Sequence, residues 1–406
     1  MRPTFALLPA FALAAALSIS QAAETRVADA AAFEAAAKTA RAGDVIVLQN
    51  GEWKDARLKL RASGTEDVPV TIKAETPGRV VLTGNSRLQL GGRFILVEGL
   101  FFQNPTGEEA IELRIGSDEV AHDCRVTNCA VVNTLPAADA NKNARFISIH
   151  GREHRVDHCR FEGKTTAGPT MVVWLSKDAK DWGGHRIDHN YFGPRGRLGK
   201  NGGETIRVGD SETSMQEARC VVEHNVFEKC DGEAECISNK SCGNVYYRNT
   251  FLEVSGTLTL RHGNGCRVLE NAFLGRGAKG SGGIRIIGED HVVRGNYLEE
   301  LTGDKERSAL CFMAGIPNSP LNGYFQVKNV RLERNLVVNC KKPLIFGFTG
   351  SDDATLAPEN VTAAGNRFTN KKPQDLPDHS GLAWEQKDIT KPEWIAKREP
   401  AGPAWK

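Results

Sequence analysis

The chain has 406 residues, with 52 Lys and Arg against 50 Asp and Glu and a formal net charge of +2. That near balance excludes bulk electrostatic binding to nucleic acid, although a local basic groove for a polyanion fits it. After the first twenty residues no segment is apolar enough to cross a membrane, and the length suits one large β domain or two ordinary ones.

The chain opens with Met1-Arg2-Pro3 and an apolar run from Phe5 to Ile19, followed by Ser20-Gln21-Ala22. A short apolar run closed by small residues predicts a signal peptide over 1–22, cleaved after Ala22, and hence a secreted or periplasmic protein. Disulfides are permitted in that compartment. The ten cysteines match no zinc-type spacing, and most are expected as small buried core residues, leaving room for one or two bridges. Ala30–Arg41 is the strongest helix signal in the chain and predicts an N-terminal cap, stopped by Gly43. The first strand follows at Val45–Leu48.

A degenerate phrase then recurs. It reads Arg125-Val-Thr-Asn-Cys129, Arg155-Val-Asp-His-Cys159-Arg-Phe161, Arg186-Ile-Asp-His-Asn190-Tyr-Phe192 and Val221-Val-Glu-His-Asn225-Val-Phe227. Further copies centre on Asn249, Asn271, Asn296, Asn335 and Asn366. Successive Asn/Cys positions lie 22 to 39 residues apart, a period that signals a solenoid. β-branched and aromatic enrichment together with 41 glycines makes it a β-solenoid, with the short intervals as bare three-strand coils and the long ones as coils with loops. The asparagines are expected to form a turn ladder, themselves tolerating left-handed backbone. His154, His158, His189 and His224 are expected as stacked or exposed turn residues. The expected organisation is one β-helix domain over 23–370, with a tail, 371–406, covering the C-terminal end.

The chemistry concentrates in Asp231-Gly-Glu-Ala-Glu-Cys-Ile-Ser-Asn-Lys240. Glu233 and Glu235 lie two apart and would share one face of a strand. Adjacent carboxylates repel, so such a pair implies a cation between them or salt-paired surface charges, and oxygen ligands suit a hard divalent ion such as calcium. A lysine just beyond a bound cation loses its proton more readily, which makes it a base near neutral pH. Asn201 lies one coil before this segment, Arg261 one coil after and Arg285 a further coil on, so all can converge on one lateral face. Arg195, Arg197 and Lys200 extend a basic groove or form a solvated loop. His150-Gly-Arg-Glu153-His154 spells a zinc-protease pattern, but that pattern needs a helix, and here it contains Gly between β phrases.

These motifs resemble polysaccharide lyase family 6, which contains alginate lyases and chondroitinase B. The resemblance rests on Asn201-Gly-Gly-Glu-Thr-Ile-Arg207, Glu233-x-Glu235-x4-Lys240-Ser, Arg261-His262-Gly263, Gly43-Asp-Val-Ile-Val-Leu48 and Val97-Glu-Gly-Leu-Phe-Phe-Gln-Asn104. It implies a right-handed parallel β-helix, with Asn201, Glu233 and Glu235 as Ca2+ ligands, Lys240 as base and Arg261 as acid. By the same resemblance Arg207, His262 and Arg285 hold substrate. Ser319-Pro-Leu-Asn-Gly-Tyr324 is similar to the alginate-degrading branch and adds Tyr324 to that set. The implied activity is β-elimination on a uronate polymer, foremost alginate, giving 4,5-unsaturated oligosaccharides. Dermatan sulfate is the alternative substrate. A β-helix glycoside hydrolase would need paired acids without the lysine, and a carbohydrate-binding solenoid would need no lysine beside a metal pair.

Overall fold

A computed structural model of the chain describes residues 22–178, 181–369 and 389–406, with the backbone of 382–385. The segment expected to be a signal peptide, 1–22, lies outside the described residues except for Ala22. β-Strands form three sheets of 13 strands each, parallel except where Arg114–Ile115 pairs antiparallel with Glu119–His122, and a typical coil gives one strand to each sheet before the chain climbs to the next. Arg125–Thr127 pairs in parallel with Arg155–Asp157, that strand with Arg186–Asp188, and that one with Val221–Glu223. This is a parallel β-helix, as the repeat predicts.

The repeat phrase is the corner between the first and third sheets. Asn190, Asn225, Asn249, Asn271, Asn296, Asn335 and Asn366 are all fully buried. Asn190, Asn225, Asn249 and Asn271 each donate from Nδ2 to Oδ1 of the next at 3.0 Å. Asn296 and Asn335 do the same at 2.9 Å. Each Nδ2 also reaches a backbone carbonyl of the coil before, as from Asn225 to Ile187 at 2.8 Å. The ladder therefore fully satisfies amides that would be costly to bury alone. Left-handed backbone, however, falls on the residue preceding each ladder position: Asn128, His158, His189, His224, Arg248, Glu270 and Arg334 have φ between 50° and 55°. The asparagines themselves do not adopt it, because their side chains must point inward.

Two residues past the ladder, Phe161, Phe192, Phe227, Phe251 and Phe273 stack inside the coil, with ring centroids 4.5–5.4 Å apart. His158, His189 and His224 stack on the outside at 5.0 Å, as expected of turn residues. His154 differs. It is buried, its Nδ1 accepts from the Cys124 N–H at 3.1 Å, and its own N–H donates to Nδ1 of His185 at 3.1 Å. The same inner corner is filled by Asn244 and His291 on later coils. All ten cysteines are buried and unbridged.

The helix is shorter than expected, Ala30–Ala37, with Asp29 as its N-cap. Its Phe33 is buried against the first coils. A strand the sequence did not suggest, Glu24–Val27, pairs with Val45–Leu48. Of the tail's described part, the backbone of Leu382–Glu385 pairs with Asn366–Thr369 at the end of the third sheet, and residues 389–406 run back down the flank as a strap. Lys391 pairs with Glu299 at 2.6 Å, Glu399 meets His189 at 2.6 Å, and Trp405 donates to the Asn128 carbonyl at 2.9 Å and packs on Phe101. Ile389 and Ile395 pack on apolar outward residues of the third sheet, Val226, Leu252, Leu274 and Tyr297.

Candidate active site

On the second sheet, the strands Ile206–Gly209, Glu235–Lys240, Thr257–His262 and Ile284–Ile286 lie side by side. Ile206, Ile237, Leu258 and Ile284 stack inward and are fully buried. The alternate positions, Arg207, Ser238, Thr259 and Arg285, form a ladder column on the outer face. A second outer column carries Gly209, Lys240 and His262. Coil stacking thus places Arg207, Lys240, His262 and Arg285 on one patch although the sequence spreads them over most of eighty residues.

Two register shifts interrupt the alternation here. One makes Cys236 an extra residue opposite Thr257 and Leu258, and the other makes Arg261 an extra residue opposite Asn239 and Lys240. Bulges re-aim side chains. The first lets Ser238 donate to Glu235 at 2.5 Å, and the second turns Arg261 to the same side as His262, with Nη1 3.5 Å from the His262 ring.

Glu235 is the hub of the patch. Arg285 approaches it at 3.3 Å and Arg261 at 3.8 Å. Tyr324, from the loop beyond, receives Arg285 on its hydroxyl at 3.1 Å and lies under the Arg261 guanidinium at 4.3 Å. Carbonyls of Asn322 and Gly323 accept from Arg261 at 3.1 and 2.9 Å. Burial opposes the charge of Arg285, but Glu235 and Tyr324 outweigh it and raise its pKa. Burial lowers that of Arg261. His262 is pushed down to about 3 by burial and then by Arg261 and Lys240, so it is a neutral imidazole, and its Nε2 has no partner.

Glu233 accepts from the Gly202 N–H at 3.1 Å, which brings the Asn201 loop against it; Asn201 itself is exposed. Burial, then Glu204 and Glu235, push the Glu233 carboxyl up to about 8. Glu204 is 2% exposed and its Oε2 has no hydrogen-bond partner. The charges of Glu204 and Glu235 thus bear on Glu233, and one of these carboxylates has an orphaned buried oxygen; oxygen-only anionic donors are the type a hard divalent cation takes.

Of the basic loop residues, Arg195 does not face the groove. It is 4% exposed and holds the carbonyls of Glu204, Thr166 and Gly168 at 2.7–3.0 Å, because its guanidinium is the donor that these buried turns lack. Lys200 reaches Asn141. In the zinc-like pattern, His150 stacks on Trp174 on the outer face while His154 lies in the inner corner, so the two rings do not face one site. Sequence reasoning passed over Glu204, although it stands inside Asn201-Gly-Gly-Glu-Thr-Ile-Arg207. It also passed over Trp174 and Arg145, which carry no local signal.

Residues 27–394 match the family model described as Chondroitinase B. Among solved structures, the chain is similar to the PL6 family alginate lyase AlyGC, with 34% identity over 94% of this chain and a TM-score of 0.85. It spans 57% of that enzyme's length. A mannuronic acid specific family 6 lyase from human gut microbiota is 31% identical over 89% of this chain and 82% of its own, with a TM-score of 0.78. A PL6 alginate lyase in complex with a trisaccharide is 26% identical over 87% of this chain and 80% of its own, with a TM-score of 0.69. Among the curated proteins, none matches this sequence.

Proposed function

Because the chain belongs to the chondroitinase B family, polysaccharide lyase family 6, we propose that it cleaves an acidic, uronate-containing polysaccharide by β-elimination, with alginate as the substrate and an exported protein as the agent. The observation that carries this reading is the outer-face patch itself. Two arginines converge on the half-buried Glu235, and a lysine with a neutral imidazole beside it in the register stands on the same sheet face.

The C5 proton of a uronate is weakly acidic because the neighbouring carboxylate is already an anion. Asn201, Glu233 and Glu235, with Glu204 beside them, would hold a calcium ion, which when bound neutralises the substrate carboxylate as a Lewis acid. Arg285 and Arg207 add cationic donors on the same column, suited to planar carboxylates. Lys240 Nζ takes the C5 proton. The freed electron pair forms the C4–C5 double bond, and the C4–O bond breaks. Charge builds on the leaving oxygen, and Arg261, fixed by two carbonyls and the Tyr324 ring, stabilises it there. A guanidinium rarely surrenders a proton, so a water relayed by His262 or Arg261 completes the protonation. AlyGC and the mannuronic acid specific enzyme support alginate over dermatan sulfate. The test is ultraviolet absorbance of the new double bond with mannuronate blocks, guluronate blocks and dermatan sulfate. Absorbance with dermatan sulfate alone would move the assignment to that substrate, and none with any of the three would overturn it.

A further inference from the structure

Below the patch just described, the outer column of Gly209, Lys240 and His262 continues through Trp174 and His150. The strands Met171–Val173 and Arg145–Ile149 are the next two neighbours of Ile206–Gly209, and Trp174 stacks against His150 at 6.0 Å. Trp174 stands two coils from Lys240, roughly 10 Å along the stack. The position between them is Gly209, with φ +78°, where a Cβ would come 2.4 Å from the Lys240 carbonyl. On that column Gly209 itself therefore puts no side chain between Lys240 and the indole.

Two guanidiniums lie against that indole, Arg207 at 4.9 Å and Arg145 at 5.2 Å from the ring centroid. Their partners differ from those of the other arginines on this face. Arg87 and Arg114 meet Glu112, and Arg261 and Arg285 meet Glu235. Among the described residues Arg207 has no carboxylate in ion-pair reach and no hydrogen-bond acceptor, and its Nε is buried without a partner. Arg145 shares Glu109 at 3.3 Å with Arg87, and its Nε is likewise unpartnered. A cation taken out of water with a buried donor left unmet is only partly compensated until an anion arrives, although Glu109 meets Arg145 and the charge of Glu204 bears on Arg207.

We infer that Trp174, Arg207 and Arg145 form a second uronate subsite on the N-terminal side of the cleavage point, with Trp174 as the positioning residue that holds both guanidiniums toward the sugar carboxylate. The inference rests on the proposed acidic-polysaccharide reading. The indole keeps the two cations apart and aimed outward without neutralising them, which a glutamate there would do. Beyond it the face closes into the Arg87–Glu112–Arg114 network, whose charges are already paired, so the subsite marks the end of the cationic run.

The experiment uses the full chain carrying Lys240→Ala, so that binding is read without turnover, titrated calorimetrically with oligomannuronates of increasing length and with neutral cello-oligosaccharides. Affinity should step up once the oligomer is long enough to reach Trp174. Adding Trp174→Ala should remove that step, about tenfold, as expected for losing a desolvated cation–π arrangement. It should leave the shortest binding oligomer nearly unaffected, and Trp174→Phe should restore most of the step. In the active enzyme the same substitution should raise KM for long substrates far more than it lowers kcat. Equal affinity at every length with and without the indole would overturn the subsite. So would an equal loss at every length, which would make Trp174 a support of the fold. Failure of the Lys240→Ala protein to bind any oligouronate would instead overturn the functional reading on which the subsite rests.

Discussion

The outer faces of the first and second sheets are built on the same coil spacing yet treat charge in opposite ways. On the first, three successive strand arginines are each answered by a carboxylate one coil on: Arg125 by Asp157 at 2.7 Å, Arg155 by Asp188 at 2.7 Å and Arg186 by Glu223 at 2.7 Å. Asp157 and Asp188 are fully buried; burial works against their charge, but the arginines and His158 or His189 prevail and hold both pKa values down. On the second, Arg261 and Arg285 share Glu235, and among the described residues neither Lys240 nor Arg207 forms an ion pair, Arg207 lying against an indole. Matched ladders are the structural solution to burying charge in a stack. The mismatched one is tolerable where a polyanion is to complete it.

Removing the cation at the acidic cluster should break the comparison most completely. Exhaustive chelation is expected to abolish formation of the unsaturated product and added calcium to restore it; a wild-type rate after chelation would remove the metal from the scheme. Lys240→Ala should cost about 10²–10⁴-fold in kcat, the usual worth of a general base, with an unchanged circular dichroism spectrum. Arg261→Ala should fall sharply too, and Arg261→Lys should not recover fully, because one ammonium cannot replace the fork that spans Asn322 and Gly323.

The quiet side should show the reverse pattern. Asn249→Ala strands the donors of Asn225 and removes bonds to Asn271 and Val222. At about 1–3 kcal/mol per unmet buried group, a lower urea midpoint with intact kcat is expected. Acid should act on the inner corner as well. Burial holds His154 and His291 at about 4 against an ordinary 6.5, despite backbone carbonyls that favour the charged form. Both are neutral when folded, so their contribution is whole above pH 6.5 and drains as pH falls from 6.5 through 4, by up to about 1.4 kcal/mol per pH unit for each ring. Urea midpoints across that window, compared with His154→Asn, measure it; a flat profile would refute it. The smallest effect is expected from Arg248→Ala at the exposed pair with Glu270, under about 1 kcal/mol.

Much of this was legible in the sequence because a stack repeats its own constraints. The Asn ladder and the Phe stack recur at one place in every coil, and the convergence of Lys240, Arg261 and Arg285 follows from counting coils. What was not legible depends on single events. The bulge that turns Arg261 outward leaves no local trace, and Glu204 is identified by its orphaned oxygen rather than by spacing. The helix ends at Ala37 rather than Arg41 because the chain must reach the strand Val45–Leu48 by way of Gly43, whose φ is +88°. The inward-facing His154 was grouped with its outward neighbours because both occur in one phrase. The path of the tail was hidden because its apolar residues match a flank that exists only once the coils are stacked.

That tail has a mechanical consequence. A solenoid held only by contacts between adjacent coils can fray from an open end, one coil at a time. Here the strap descends from Glu299 past Trp394 beside Arg248 and Glu399 on His189 to Trp405 on Asn128 and Phe101. Chain ends that a linear stack would keep apart are thereby latched across about half its coils. Peeling the last coil pulls on a segment anchored near the first ones, so local melting is coupled to the middle of the stack, where the proposed catalytic face lies. The latch turns a zipper into a belt, and its buckle is the ring of Trp405 seated over the backbone of Gly78.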